Sequence, residues 1–236
     1  MIRQSKGKMF LADERGLNET EWFRGQNTFN FGRYFSEHKL PFGALYVVND
    51  DTLDGRGSLR TISEEDSYVI LLPVIGAIAY KDSLGNENLI AAGQIQVLDL
   101  AKDAIIEITN PFKEELVNFL QVWIRTDKVK ETATPNLLTY DVNKYLDSLI
   151  RIFPENSSSS SLPFAVSIGK FSGRGETTYK LSNENSGLFV FVIEGAFEVE
   201  GRLLHARDGL ALWETEKVEL EALSNDAIIL VMEISL

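Results

Sequence analysis

Few side chains in this sequence can do chemistry unaided. The only histidines are His38 and His205, and there is no cysteine. Disulfides, thiolate metal sites and Cys nucleophiles are therefore excluded by inventory. A protein-held transition metal needs several convergent nitrogen, sulfur or carboxylate donors. His205 stands beside the Arg207-Asp208-Gly209 turn with no second nitrogen ligand near it in the chain, which is too poor a set. His38 sits between Tyr34-Phe35 and Pro41-Phe42-Gly43, where a packed or hydrogen-bonding loop residue is expected. Gly173-Arg174-Gly175 has neither a following Gly-Lys-Ser/Thr nor a following helix, so it is expected to be a turn before a strand rather than a phosphate loop. The hydroxyls of Ser157 to Ser161 have no His base close in sequence and read as linker. Asn18-Glu19-Thr20 and Asn156-Ser157-Ser158 match the glycosylation pattern, which carries no meaning without a secretory signal.

Composition narrows the classes further. In 236 residues there are 35 acidic and 23 basic side chains, a formal charge of -12. Such a surface repels phosphate backbones and anionic lipid, so neither nucleic acid nor membrane is expected as a partner. The start, Met1 to Lys8, is basic but is not followed by an apolar run of signal-peptide length, and the longest apolar runs, such as Val69 to Ala79, fall short of the roughly 18 residues a membrane helix needs. A cytoplasmic protein is expected. The aromatics Trp22, Phe23, Phe29, Phe31, Tyr34, Phe35 and Phe42 have no basic groove beside them, and core packing of an N-terminal strand is expected rather than base stacking.

The elements that must position any site are mostly strands. Short β-rich runs bounded by Gly, Asn, Asp or Pro include Ala44 to Val48, Tyr68 to Tyr80, Gln94 to Leu98, Ala104 to Ile108 and Phe119 to Ile124. The second half repeats the habit from Phe164 to Ile168 through Ala227 to Ile234. One helix is expected, Asp141 to Phe153, with Asp141 as N-cap and Val142, Tyr145, Leu146, Leu149, Ile150 and Phe153 forming an i, i+3, i+4 stripe. An internal repeat aligns Gly76-Ala77 with Gly195-Ala196, Leu89 to Gly93 with Leu203 to Arg207, and Ile124 with Ile234. Two β units of similar topology, with hairpin turns at Asp82 to Asn86 and Glu200 to Arg202, fit a pair of jelly rolls.

Leu11 to Gly16, Trp22-Phe23, Asn27 to Tyr34, Phe42 to Leu45 and Val48 to Asp51 resemble, in order, the opening of pirin-family bicupins, and the resemblance continues through Lys81 to Asn86, Gln94 to Val97 and Leu120 to Ile124. The tail, with Glu194-Gly195 and Asp208 to Leu212, is similar to the second barrel of the bacterial pirins related to quercetin dioxygenases. The fold expected is all-β: a bicupin, two jelly-roll barrels in one chain with one short helix between them. The first barrel would span 1–127, a linker 128–135, and the second barrel 136–236 with the leading helix 141–153.

In that family the first barrel holds a divalent metal through a His-x-His pair and a His-x-Glu pair, whose alternate spacing puts both members of each pair on one face of a strand. Counting from Gly76 and Asp82 places the first pair on Ile62 and Glu64; counting from Gln94 and Asn110-Pro111 places the second on Ile106 and Ile108. Isoleucine has no lone pair to give. The resemblance therefore implies a lost site, with no metal or other cofactor, in which each buried isoleucine contributes about 1.5–3 kcal/mol of apolar packing. Glu64 is either an inward carboxyl beside Ile62, Ile106 and Ile108, with a pKa raised above the usual value of about 4.3, or part of a solvated Glu64-Glu65-Asp66 loop. The leading expectation is a metal-free, non-catalytic bicupin with an unidentified small-molecule or protein partner. The enzyme alternatives are metal-independent acid–base chemistry through Glu64, Tyr68 and Tyr80, which needs a roomy polar cavity, and a residual quercetinase-type dioxygenase, whose ligands are missing.

Overall fold

Runs rich in Val, Ile, Leu and aromatic residues alternate with turn formers along the chain, and the computed structural model converts them into strands. It describes residues 5–127, 136–153 and 162–236. In chain order the strands are β1 (Lys6–Phe10), β2 (Gly16–Glu19), β3 (Phe23–Asn27), β4 (Leu45–Leu53), β5 (Ser58–Ile62), β6 (Ser67–Ile75), β7 (Ala77–Asp82), β8 (Glu87–Ala91), β9 (Gln94–Leu100), β10 (Ile105–Thr109), β11 (Val117–Arg125) and β12 (Asn136–Thr139). They continue as β13 (Ile150–Phe153), β14 (Phe164–Phe171), β15 (Glu176–Lys180), β16 (Ser186–Glu194), β17 (Phe197–Val199), β18 (Arg202–Leu204), β19 (Gly209–Trp213), β20 (Lys217–Ala222) and β21 (Ala227–Ser235). The only helical element among the described residues is a 3-10 turn at Ala12–Glu14. No helix there is long and apolar enough to cross a membrane.

Arg15–Tyr140 forms the N-terminal unit, and residues up to Glu14 join Asp141–Leu236 in the C-terminal unit. This division differs from the one drawn on the sequence, for two reasons of pairing. Strand β1 adds to β19, from Lys6 opposite Trp213 to Phe10 opposite Gly209, and the Asp208 carboxylate accepts the Ala12 amide at 2.7 Å and the His205 amide at 2.8 Å. Strand β12 pairs with β9 and so stays with the N-terminal unit. The linker expected at 128–135 and the serine tract at 157–161 lie outside the described residues.

Each unit is a pair of sheets sharing one apolar interior. The N-terminal unit has a seven-stranded sheet, β12-β9-β6-β11-β4-β3-β2, and a four-stranded sheet, β5-β10-β7-β8. The C-terminal unit has β1-β19-β16-β21-β14-β13 and β15-β20-β17-β18. The repeat read from the sequence is reproduced in detail. Gly76 and Gly195, both with positive φ, turn β6 into β7 and β16 into β17; Gly93 turns β8 into β9, and Arg207 does so between β18 and β19 in the same left-handed conformation, φ 72°. Glu200 and Gly201, both at positive φ, make the two-residue hairpin between β17 and β18.

The helix expected over 141–153 does not form. Asp141 Oδ1 accepts the Asn143 amide as an N-cap would, but Asp147 adopts φ 58°, which a right-handed helix cannot accommodate. The Asp147 carboxylate then accepts the amide and hydroxyl of Ser172, and Ile150–Phe153 pairs as an edge strand with β14. Tyr145 and Leu146, two members of the expected apolar stripe, are exposed, whereas Ile152 and Phe153 are buried as strand residues.

The outer faces of the two four-stranded sheets carry opposite charge logic. Across β5-β10-β7-β8 the row Arg60, Glu107, Lys81, Glu87 alternates in sign. Across β15-β20-β17 the row is Glu176, Glu221, Glu198, with only Arg174 bonded to Glu221, at 2.6 Å. Like charges directly opposite one another destabilise a sheet. Glu198→Lys should raise the thermal midpoint by about 1–3 °C in dilute buffer, and the gain should fade in about 1 M salt. Asp208→Ala, which deletes two charge-assisted hydrogen bonds from a buried carboxylate, should cost about 3 kcal/mol in urea denaturation.

Candidate functional site

The positions that the pirin resemblance assigns to metal ligands fall on β5, β10 and the loop after β5. In the antiparallel β5-β10 pair, Leu59 faces Ile108 and Thr61 faces Ile106; on the other side of β10, Ile108 faces Tyr80 and Ile106 faces Asp82. Partners directly opposite share a face, so these six residues form one inward patch. Ile106 is 0% and Ile108 1% exposed. Ile62 pairs with Ile105 on the opposite face and is 57% exposed.

Glu64 is exposed in the loop between β5 and β6, which is the solvated-loop alternative and not the inward carboxyl beside the isoleucines. The loop is folded by neighbours that leave Glu64 outside. Ser63 and Ser67 hydroxyls both donate to the Glu65 carbonyl, Glu65 pairs with Arg125, and the Asp66 carboxylate accepts the Lys102 amide at 2.7 Å. Of the four positions, the structure thus places two in the barrel interior and two outside it.

Tyr68 and Tyr80 are not brought together. Val69 and Leu71 line the interior, which puts Tyr68 on the other face of β6, whereas Tyr80 lies inside with Ile78, Ile106 and Ile108. Burial pushes the Tyr80 hydroxyl up to about 12, and the nearby Asp82 charge acts in the same direction. Burial likewise raises Tyr68, with Asp99 adding to it. The two histidines are exposed: His38 lies beside Glu37, and His205 sits on the turn that Asp208 ties down through its backbone. Phe29 is buried, and Phe23 and Phe31 pack on the interior, as expected of the aromatic segment, but Trp22 and Phe35 are exposed.

The sequence reading missed a polar lane inside the N-terminal barrel. Asn27 of β3, Asn49 of β4 and Gln121 of β11 stand in register across three adjacent strands, with Asp51 two residues beyond Asn49. They share the face of Val47, Leu53, Phe119 and Trp123, and all four are buried, Asp51 at 0% exposure. The Trp123 indole N–H donates to Gln121 Oε1 at 3.4 Å, and Gln121 Nε2 donates to Asp51 Oδ2 at 2.5 Å. Burial drives the Asp51 carboxyl from 3.8 up to about 7; the Gln121 hydrogen bond opposes this, Asp50 adds to it and Arg15 opposes it. The signal was present in Leu45–Leu53, where Asn49 and Asp51 fall at alternate positions with Val47 and Leu53 in a strand buried on both faces.

Two jelly rolls in one chain define a bicupin. The family model described as Pirin matches residues 11–124, and the one described as Quercetinase C-terminal cupin domain matches 164–234. The two models match successive parts of the chain, and the fold is the all-β bicupin fold of pirins. The "Quercetin 2,3-dioxygenase" of Escherichia coli K12 is 22% identical over 93% of this chain and 95% of its own length, and a "Pirin-like protein" of Caulobacter vibrioides is 26% identical over 93% and 96%. The crystal structure of YhhW from Escherichia coli superposes with a TM-score of 0.84 at 20% identity, covering 97% of each chain. The same bacterial pirin in complex with nickel(II) gives 0.83 at 21% identity, covering 98% of this chain and 99% of its own.

Ile106→Ala and Ile108→Ala should each destabilise the protein by about 2–5 kcal/mol in urea denaturation, because each leaves a cavity in a closed core. Ile62→Ala should change it by less than about 0.5 kcal/mol.

Proposed function

We propose that this chain is a pirin-family bicupin that works without the divalent metal of its relatives and serves as a binding or interaction protein rather than an oxygen-activating enzyme. The observation that carries this reading is the burial of Ile106 and Ile108 at two assigned ligand positions, in contact range of an apolar interior that includes Ile78, Ile90 and Val69. Hydrocarbon branches cannot coordinate a cation, and the other two positions, Ile62 and Glu64, offer one carboxylate that faces solvent. These residues do not fit the group that the nickel-bound pirin holds. A quercetinase-type reaction needs an oxygen-activating centre that this donor set does not supply.

Acid–base chemistry without a metal has less support. Of the three side chains considered for it, Glu64 is on the surface and Tyr68 is on the non-interior face. Tyr80 is inside, but a phenol titrating near 12 stays protonated at neutral pH and cannot act as a base. With Ile78, Ile90, Ile106 and Ile108 lining the interior, this reading takes binding to the outer surfaces. The charge of -12 favours a partner that is neither nucleic acid nor anionic lipid, in a cytoplasmic setting.

The test is elemental analysis of protein purified without chelators, together with oxygen uptake on quercetin with and without added Fe, Mn or Ni. No stoichiometric metal and no uptake above the protein-free rate are expected. One tightly held ion per chain, or uptake that a metal stimulates, would overturn the reading.

A further inference from the structure

The polar lane of the N-terminal barrel contains two acceptors that its own donors do not reach. Asp51 Oδ1 and Asn49 Oδ1 are buried without a hydrogen-bond partner among the described residues. They sit two residues apart on one face of β4. The bonds leading to Asp51 run in a single direction, from the Trp123 indole to Gln121 and from Gln121 to Asp51 Oδ2, and none of them reaches Asp51 Oδ1. Strand β3 closes the adjoining side: Gly25 lies opposite Asp51, and a Cβ there would come within 2.7 Å of Asp51 Oδ1. A buried acceptor left unsatisfied is unfavourable, and an unpaired charged one more so. A single proton on Asp51 Oδ1 turns that atom into a donor, and the other orphan, Asn49 Oδ1, is an acceptor on the same face.

We propose that the N-terminal barrel binds one proton at Asp51 Oδ1, shared with Asn49 Oδ1, and that its release loosens the β3-β4-β11 wall, which makes this barrel a pH-responsive element. The site is separate from the ligand positions on β5 and β10 and does not depend on whether they hold a metal. The charges that act on Asp51 are Asp50 and Arg15, which meet each other at 3.4 Å on the opposite face of β4, beside Gln26 and Asn118. From β3 it meets Gly25 and from β11 the neutral Gln121 and Phe119. Inward titratable groups of the facing sheet are Tyr80 and Asp82, the latter held by the amides of Leu84 and Asn86. Tyr46, also on β4, is bonded to the Ser67 hydroxyl at 2.6 Å.

The sign follows from the two protonation states. An Asp that titrates near 3.8 when unfolded and near 7 when folded gives the folded state the greater proton binding between those values. Its stabilising contribution is complete below about pH 4 and is lost as pH rises through about 7, by up to about a thousand-fold in the folding equilibrium constant. Asp51→Asn replaces the proton with a permanent amide donor of the same shape.

Two measurements test this together. Infrared difference spectra of folded protein with labelled aspartate should show a protonated-carboxyl stretch that titrates away near neutrality and is missing in Asp51→Asn. Chemical denaturation from pH 4 to 8 should show the wild-type folding equilibrium falling relative to Asp51→Asn across that range. An Asp51 that is already ionised at pH 5 in the folded protein would overturn the proposal, as would parallel pH profiles for the two proteins. A water bridging the two oxygens gives those overturning results, because it leaves the carboxylate charged. The infrared arm reads the wild type directly and stands even if the variant folds poorly.

Discussion

Strand alternation along β10 is the constraint on which the N-terminal barrel depends. Because successive side chains point to opposite faces, Ile106 and Ile108 enter the interior together, whereas Ile105 and Glu107 leave it together. Around those two branched hydrocarbons the neighbouring strands bring Leu59, Tyr80 and Ile78, with Asp82 opposite Ile106 held by the amides of Leu84 and Asn86. The same alternation on β5 carries Ile62 outward, so a ligand constellation drawn from the two strands cannot reassemble by small adjustments.

The two barrels share topology but divide polarity differently. The C-terminal interior is lined by Leu188, Val190, Val192, Phe197, Leu210 and Val231, and a buried carboxylate, Glu233, is fully engaged by the Tyr179 hydroxyl and the Ser182 and Asn183 amides. That carboxylate pins a loop; its negative charge and hydrogen bond also hold the Tyr179 phenol above its ordinary range, second to burial. The N-terminal interior instead carries Asn27, Asn49, Asp51 and Gln121, and one oxygen each of Asn49 and Asp51 has no partner among the described residues. A half-satisfied polar network in a low-dielectric interior is sensitive to protonation in a way that a satisfied one is not.

Much of the fold was legible because β-branched and aromatic runs bounded by turn formers have few alternatives. The repeat was legible through glycines that need positive φ, Gly76 and Gly195, and its least obvious correspondence, Gly93 with Arg207, held because both residues occupy the same left-handed turn. The 141–153 segment was misread because a 3.6-residue stripe says nothing of the vacant edge of β14, and pairing there outweighs helical propensity. Edge strands such as β1, β5, β8 and β18 were missed since their burial is slight and their sequences mixed. Of the candidate site, Ile106 and Ile108 were legible as inward residues, and the polar lane was not. Glu64 lies in a loop whose shape is set by Ser63, Ser67 and the distant Arg125, and Asp51 has meaning only once Gln121 stands on the next strand.

The central claim is that the inward wall formed by β5 and β10 offers a cation no imidazole or carboxylate to bind. The most direct measurement is an anomalous difference map at the nickel edge from crystals grown with nickel(II) in excess. The account predicts no peak within the N-terminal barrel and unshifted Ile106 and Ile108 side chains. A coordinated ion on that wall, with donors drawn from anywhere in the chain, would contradict it.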